Sequence, residues 1–391
     1  MKVLILHQHF NTPAEGGALR SYYLAKALLE HGYQPVVITG RGKGSREEVN
    51  VEGIEVHYLP VAYDNSFGFW KRAISFLQYV WLSTQHAGSI KDVKICYAIS
   101  APLTVGLAAS CIKFLHKIPF IFEVGDLWPD APIQMGFVRS YFLKSILYKV
   151  ERFIYSDAQS IVALSEKIKS GIEKRTRNKV IHVIPNMADT EFYRPETKDP
   201  LLQRKLNTDG KFVVSYIGAI GLANGLDFFL ECARASQRAG QPVQFILCGD
   251  GAMLESLKRV AQQYQLSNFS IIPFQSREGV KEVMNVTDAS FVCYKPLPIL
   301  ETGSPNKYFD ALACGKLILI NFGGWIKDEI EKEGCGCYIN SRQPAEFVAT
   351  VQTFIDSKQQ LEQYQAASRR LAEAKYTRRM LSEKFAGLFA S

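Results

Sequence analysis

Residues 301 to 316 read Glu-Thr-Gly-Ser-Pro-Asn-Lys-Tyr-Phe-Asp-Ala-Leu-Ala-Cys-Gly-Lys. Two carboxylates, Glu301 and Asp310, bracket a cation, Lys307, across a helix start. Ser304 suits an N-cap and Pro305 the first helical position, which predicts a helix from that point. A helix start offers free backbone N–H groups and a partial positive charge. Lys307 adds a full charge in the first turn, where the dipole disfavours a cation, and an anion bound there would account for the placement. Carboxylates beside an anion site can hold sugar or ribose hydroxyls, so the stretch fits a sugar diphosphate.

Other stretches carry weaker signals. His7-Gln8-His9 follows the first apolar run, and alternation on a strand would send both histidines to one face, but no third metal ligand is apparent. Gly16-Gly17 precedes a helical pattern and could let backbone approach a phosphate, although no G-x-G-x-x-G follows the strand. Residues 40–45, Gly-Arg-Gly-Lys-Gly-Ser, lack the phosphate-loop spacing and read as a basic turn. Residues 122–132 run Phe-Glu-Val-Gly-Asp-Leu-Trp-Pro-Asp-Ala-Pro. Asp126 there ends a strand and would stand at a cleft wall, with Glu123, Trp128 and Asp130 adding to the density of polar and aromatic groups. Gly218-Ala-Ile-Gly221 and Gly249-Asp-Gly251 follow two successive later strands, where missing side chains permit close approach to a diphosphate. Residues 66–82 interleave aromatics with Lys71-Arg72, a pattern shared by interfacial helices and by core helices with a basic edge.

Elements must position these groups. Short apolar runs at 3–6, 36–38, 94–97, 120–123, 160–163 and 180–184 read as strands, with helical patterns at 19–31 and 140–155 between some of them. The alternation restarts with runs at 212–217, 244–248, 270–272, 289–292 and 317–320. Strands alternating with helices imply parallel sheets covered on both faces, and two sets imply two doubly wound α/β domains. Prolines and polar residues cluster at 185–200, which places the boundary near 190: residues 1–190 and 191–391, with the last helix a candidate to return to the first domain. Ligands bind at the carboxyl ends of such strands, so two facing domains would form a cleft.

The 391-residue length suits two domains, and 47% hydrophobic with 21% charged residues is an ordinary globular balance. A formal charge of +8 without a long basic run gives no reason to expect nucleic acid. Eight cysteines without C-x-x-C read as buried thiols of a reducing compartment. The N-terminal apolar run is too short for a signal peptide, and residues 98–112 read as a buried helix rather than a membrane span. The expected location is cytoplasmic, with peripheral contact at the inner face of the membrane an option through residues 66–82.

With these pieces placed, the chain resembles family 4 retaining glycosyltransferases of the GT-B fold over nearly its whole length, with closest similarity to the bacterial branch that transfers amino or deoxy sugars in O-antigen and capsule assembly. The resemblance rests on Gly16-Gly17, Glu123-x-x-Asp126-Leu-Trp-Pro, Leu164-Ser165 and Ile184-Pro185-Asn186-Met-Ala-Asp189. Gly218-Ala-Ile-Gly221, Gly249-Asp-Gly251 and Ser304-Pro-Asn-Lys307-Tyr-Phe-Asp310-Ala-Leu-Ala-Cys-Gly follow in the family's order. The family's two acidic residues are separated by seven others, and the second matches Asp310. The first would fall on Thr302, and Glu301 lies one residue early. The family's usual cation after the first strand of the second domain is missing, since Ala219, Leu222 and Asn224 occupy that loop.

The resemblance implies a transferase taking a nucleotide-sugar, expected to be a UDP-sugar, to a glycan or lipid-diphosphate-linked acceptor, with no metal and no cofactor. Lys307, Asp126 and Glu301 are the expected catalytic residues. Gly16, Gly17, Gly218, Gly221, Gly249, Ser304, Pro305, Asn306, Lys307 and Asp310 form the expected donor-binding set. Asp310 would hold the ribose, and Lys307 would neutralise the departing diphosphate in place of a metal. Two competing readings are a sugar-nucleotide epimerase of the same architecture and a non-catalytic two-lobed sugar-binding protein.

Overall fold

The computed structural model describes every residue except 43, 45, 64–66 and 391, so Lys43, Ser45 and Ser66 of the stretches discussed above lie outside it. The first sheet contains β1 (Lys2–Leu6), β2 (Gln34–Gly40), β3 (Glu47–Val51), β4 (Ile54–Leu59), β5 (Val93–Ile99), β6 (Phe120–Val124), β7 (Ser160–Ala163) and β8 (Ile181–Val183). Their spatial order is β3-β4-β2-β1-β5-β6-β7-β8; β3 runs antiparallel to β4, and the other pairs among the described residues are parallel. The second sheet contains β9 (Phe212–Ile217), β10 (Val243–Cys248), β11 (Phe269–Ile272), β12 (Ala289–Val292), β13 (Leu317–Ile320) and β14 (Gly336–Tyr338). Its order is β11-β10-β9-β12-β13-β14, with every pair parallel.

Two Rossmann-like units therefore face each other. Central strands such as β9 and β10 are buried along their whole length, as expected when helices cover both faces. Strand order reverses between β1 and β5 in the first sheet and between β9 and β12 in the second. At such a reversal the connections leave in opposite directions and open a crevice at the carboxyl ends. Residues 7–19 leave β1, and residues 218–225 and 293–307 leave β9 and β12. The fold thus carries the candidate residues to the two crevices.

Three strands escape the sequence reading. β3 and β4 form an antiparallel edge pair whose charged residues, among them Glu47 and Glu48, mask the apolar alternation, and β14 is three residues long. Residues 98–112 are not one helix: β5 runs to Ile99 and the helix spans Thr104–His116. The terminal helix Arg378–Ala386 packs on the Arg20–Glu30 helix of the first unit, with the Phe385 ring 4.8 Å from that of Tyr97. Two chain crossings lie side by side. The Ala188 N–H donates to the Tyr376 carbonyl at 2.7 Å, and the Arg378 N–H donates to the Ala188 carbonyl at 3.1 Å. All eight cysteines are free thiols.

Candidate active site in the interdomain cleft

The key helix begins one residue later than the sequence suggests. It spans Asn306–Ala313, with Pro305 at the N-cap in an extended conformation and no side chain capping the first turn. Ser304 is therefore not the cap. Its Oγ accepts the Asn186 backbone N–H at 3.3 Å, and its carbonyl accepts the Asn186 side-chain amide. Ser165 donates its hydroxyl to the Thr302 carbonyl at 2.6 Å while capping its own helix, Glu166–Glu173. Residues 302–304 are thus held by the first domain, and the helix start they lead into keeps its first-turn N–H groups free of any side-chain cap.

Lys307 lies in that first turn. Its Nζ donates to the Tyr216 hydroxyl at 2.9 Å, and that hydroxyl donates onward to the Ala219 carbonyl at 2.6 Å. The ammonium stands 4.5 Å from the Tyr216 ring centroid and 5.4 Å from that of Tyr294, close enough for cation–π attraction. Among the described residues no carboxylate pairs with it. Burial pushes its pKa down to about 8. A desolvated cation without an anion is the condition in which a bound phosphate would bring the largest gain.

The glycines after β9 and β10 serve a different purpose from the one their spacing suggests. The N–H groups of Gly218 and Gly221 are already used, by the Cys248 carbonyl at 2.9 Å and the Asn224 side chain at 3.1 Å. A Cβ on Gly218 would stand 3.2 Å from Cε of Lys307, so the bare position makes room for the lysine. Gly249 is a correction. A Cβ there would lie 2.0 Å from the Gly218 carbonyl oxygen, so its missing side chain lets two loops pack and is not open to a ligand.

Asp310 lies one turn beyond Lys307 on the same helix face. Burial drives its carboxyl up to about 7, the neighbouring Arg277 pulls it down, and Asp189 pushes it up. Arg277 opens the helix that follows β11. It is ion-paired to Asp189 and lies 3.7 Å from the Phe192 ring centroid, with Arg378 and Tyr23 also on Asp189. Sequence reasoning missed Arg277, Tyr216 and Tyr294. The first could have been found as a cation opening a helix at a strand's carboxyl end; the tyrosines carried no signal beyond their place in or after strands.

Of the acidic residues at 122–132, only Asp126 faces the cleft. Its Oδ1 would stand 3.8 Å from a Cβ on Gly303, and its charge is felt at Tyr294, both in the second domain. Water reaches it from the open side, yet protein walls it on the others, and this desolvation raises its pKa. Glu123 and Asp130 are structural, contrary to the expectation from their density. Buried Glu123 receives Arg20 bidentately at 2.8 and 2.9 Å together with the Tyr97 hydroxyl. Asp130 joins Arg175, Glu151 and Tyr148 in a separate polar cluster.

Glu301 sits in a single turn, Leu300–Thr302, with Oε1 3.2 Å from where a Gly323 Cβ would be. Gly324, at φ +90°, passes so close that a Cβ would meet the Glu301 carbonyl at 2.6 Å. The Trp325 indole N–H donates to the Gly303 carbonyl at 2.8 Å and fixes the same turn. Thr302, at the family's first acidic position, spends its hydroxyl on the Ile299 carbonyl at 2.7 Å.

On the facing side, Gly16 and Gly17 adopt φ of +73° and +83°. Gly16 meets the Phe274 ring of the second domain, 3.2 Å from where its Cβ would be, so this loop reaches across the cleft mouth. His7 bonds Ser21 at 2.8 Å and His9 lies 4.3 Å from the Tyr63 ring. Burial lowers their pKa values to about 3 and about 4, so both are neutral. Arg41 in the basic turn pairs with Glu15 and Glu47 and lies over Tyr58.

Residues 15–187 match the model of the glycosyl transferase 4-like domain, and residues 198–371 match that of glycosyl transferases group 1. The chain belongs to the family 4 GT-B glycosyltransferases. The Alpha-D-kanosaminyltransferase of Streptomyces kanamyceticus is 19% identical over 246 residues, 61% of this chain and 62% of that protein. The Escherichia coli (strain K12) protein named "Putative colanic acid biosynthesis glycosyl transferase WcaI" is 25% identical over 202 residues, 50% of this chain and 49% of its own length. The chain therefore spans about half to three-fifths of these curated relatives. Among solved structures, Anabaena HepE in complex with UDP and glucose superposes with a TM-score of 0.74 at 16% identity, covering 100% of both chains. That likeness shows the shared GT-B fold.

Proposed function

We propose that the protein transfers a sugar from a nucleotide-sugar, with UDP as the carrier, to a lipid-diphosphate-linked glycan of a bacterial surface polysaccharide, with retention of anomeric configuration and without a metal in the cleft. The observation that carries this reading is Lys307: a desolvated ammonium with no carboxylate partner among the described residues, at an uncapped helix start, beside the bare Cα of Gly218. Charge grows on the diphosphate as the glycosidic bond breaks. A preorganised cation and free N–H groups stabilise that charge without reorganisation. Ser304, Pro305 and Asn306 would shape the turn around the diphosphate, and Asp310 would accept hydrogen bonds from the ribose hydroxyls. Asp126 and Glu301, on opposite walls, would orient the sugar and the incoming acceptor. Gly16 and Gly17 would let the first domain close over the donor and exclude water.

The choice of UDP draws support from HepE, whose structure holds UDP and glucose, and the surface-polysaccharide role from the name of WcaI. A membrane-borne acceptor draws support from the helix Phe69–Ala87. Trp70, Ile74, Leu77 and Trp81 recur at helical spacing along it and are 61–77% exposed. A stripe of that size on a soluble face marks an interaction surface. Among the described residues no helix is long and apolar enough to cross a membrane.

The test is Lys307→Ala, assayed with a panel of UDP-sugars. Turnover should fall by about 10²–10³ with the melting temperature kept. Near-normal turnover in a folded variant would overturn the assignment.

A further inference from the structure

The edge strands β3 and β4 and the Phe69–Ala87 helix supply none of the residues proposed above to hold the donor or to act in transfer. Where they meet, Glu48 of β3, His57 of β4 and His86 near the helix end bring one ligand atom each to within 4.8 Å of one another. Both imidazoles are 3% exposed, whereas Glu48 reaches in from the surface. His57 Nδ1 stands 2.6 Å from His86 Nε2 and 3.4 Å from Glu48 Oε1.

The nitrogens that face away are also provided for. His57 Nε2 lies 2.7 Å from Glu55 Oε1, so that nitrogen carries the proton and Nδ1 presents a bare lone pair. His86 Nδ1 lies 3.3 Å from Ser89 Oγ, whose own hydrogen goes to the His86 carbonyl at 2.7 Å. The serine oxygen is thus free to accept an N–H from His86 Nδ1. Each histidine has an outer partner that can hold it in the tautomer a metal needs, the arrangement usual around metal-bound histidines.

We propose that Glu48, His57 and His86 form a binding site for a divalent transition metal, zinc by its donor set, which clamps the β3–β4 edge to the helix bearing the apolar stripe. Two imidazoles and a carboxylate suit zinc and its neighbours rather than calcium or magnesium. Without metal, one proton is shared between His57 Nδ1 and His86 Nε2. On binding, His86 changes tautomer: its proton leaves Nε2 and returns at Nδ1, which donates it in a hydrogen bond to the Ser89 oxygen, so no net proton need leave. Metal bonds of roughly 2.0–2.1 Å in tetrahedral geometry require the two ring nitrogens to part to about 3.3 Å. That is a sub-ångström opening, and Glu48, being exposed, can close the third position. Water fills the fourth. Arg46 lies close enough for its charge to be felt at His86, and the carboxylates of Glu48 and Glu55 act against it. Lys2 reaches Glu55 at 3.9 Å from the outer side.

The test uses the full chain, stripped with chelator and titrated with Co²⁺ as a spectroscopic probe, then with Zn²⁺. One equivalent of Co²⁺ should give visible bands of four-coordinate cobalt that Zn²⁺ abolishes, and Zn²⁺ should raise the melting temperature. The double variant His57→Gln, His86→Gln should lose both responses. Because its substitutions are buried, the exposed Glu48→Ala is the second arm: it should keep the metal-free melting temperature and weaken Co²⁺ binding at least tenfold. Absence of the bands in the unmodified protein, or unchanged affinity in Glu48→Ala, overturns the site.

Discussion

Lys307 lies directly beside Gly218: its Cε is 3.2 Å from where a Cβ on that glycine would sit, and its Nζ is 3.8 Å from the same point. The strand end and the helix start are shaped for each other, and the ammonium is aimed by the absence of a side chain. Gly218→Ala should therefore displace the lysine. The position also sits at φ +142°, which L-residues rarely adopt. The expected result is a donor KM raised about tenfold or more, with a loss of about 1–2 kcal/mol in stability. Urea denaturation read alongside donor titration separates the two effects.

The pH profile should be narrow. In its proposed role Asp310 would hold the ribose hydroxyls as a carboxylate, and burial raises its pKa to about 7. In its proposed role Lys307 would attract the diphosphate only as the ammonium, and burial lowers its pKa to about 8. In the free enzyme kcat/KM should therefore fall on the acid side through Asp310 and on the alkaline side through Lys307. Asp310→Asn should remove the acid limb while lowering kcat/KM throughout.

Stability gives the opposite sign for Asp310. Its folded pKa is raised above the ordinary 3.8, so the folded state holds the proton more tightly than the unfolded chain. Its contribution is complete below about pH 4 and is lost as pH rises toward 7. Asp310→Asn, which cannot ionise, should melt higher than the unmodified protein at pH 8 and show little difference at pH 4. Differential scanning calorimetry at both pH values checks this.

Membrane docking makes a separate claim on Ile74 and Leu77, which are 64% and 61% exposed on the outer face of their helix. Replacing both with Glu should leave folding intact and abolish co-sedimentation with vesicles rich in anionic lipid. Turnover of a lipid-linked acceptor should fall, while hydrolysis of the nucleotide-sugar by water stays unchanged. Retained vesicle binding would place the docking surface elsewhere.

Gly249→Ala tests packing alone. A Cβ 2.0 Å from the Gly218 carbonyl oxygen cannot be accommodated without moving one of two strand-end loops. The cost should be about 2–4 kcal/mol, and the glycine loop beside Lys307 should move with it.

Most of this architecture is legible in the chain because the central strands are short apolar runs buried on both faces. β9, β12 and β13 keep the bounds that their apolar runs suggest. β3 is not legible because an edge strand needs few apolar residues, and β4 is not because Glu55 and His57 interrupt its apolar run. The site is legible where one segment carries it, as at residues 301–310. It is illegible where partners come from afar. Nothing local marks Tyr216 as the acceptor for Lys307 or Arg277 as the neighbour of Asp310, because those pairings arise only when strand ends converge. Glycine spacing misleads for the same reason: Gly249 looks open in sequence and is filled in space by another loop.

The two crossings between domains run together at Ala188 and Thr377, joined by backbone hydrogen bonds, with the last helix turned back onto the first domain. A pair of tied straps bends readily about one line but resists shear and twist. In the proposed reaction, jaws that opened to admit a donor would shut along that one arc, and Asp126 would meet the turn around Glu301 and Gly303 at the same height each time. Alignment of the two proposed substrates would then be a property of the joint rather than of each separate closure.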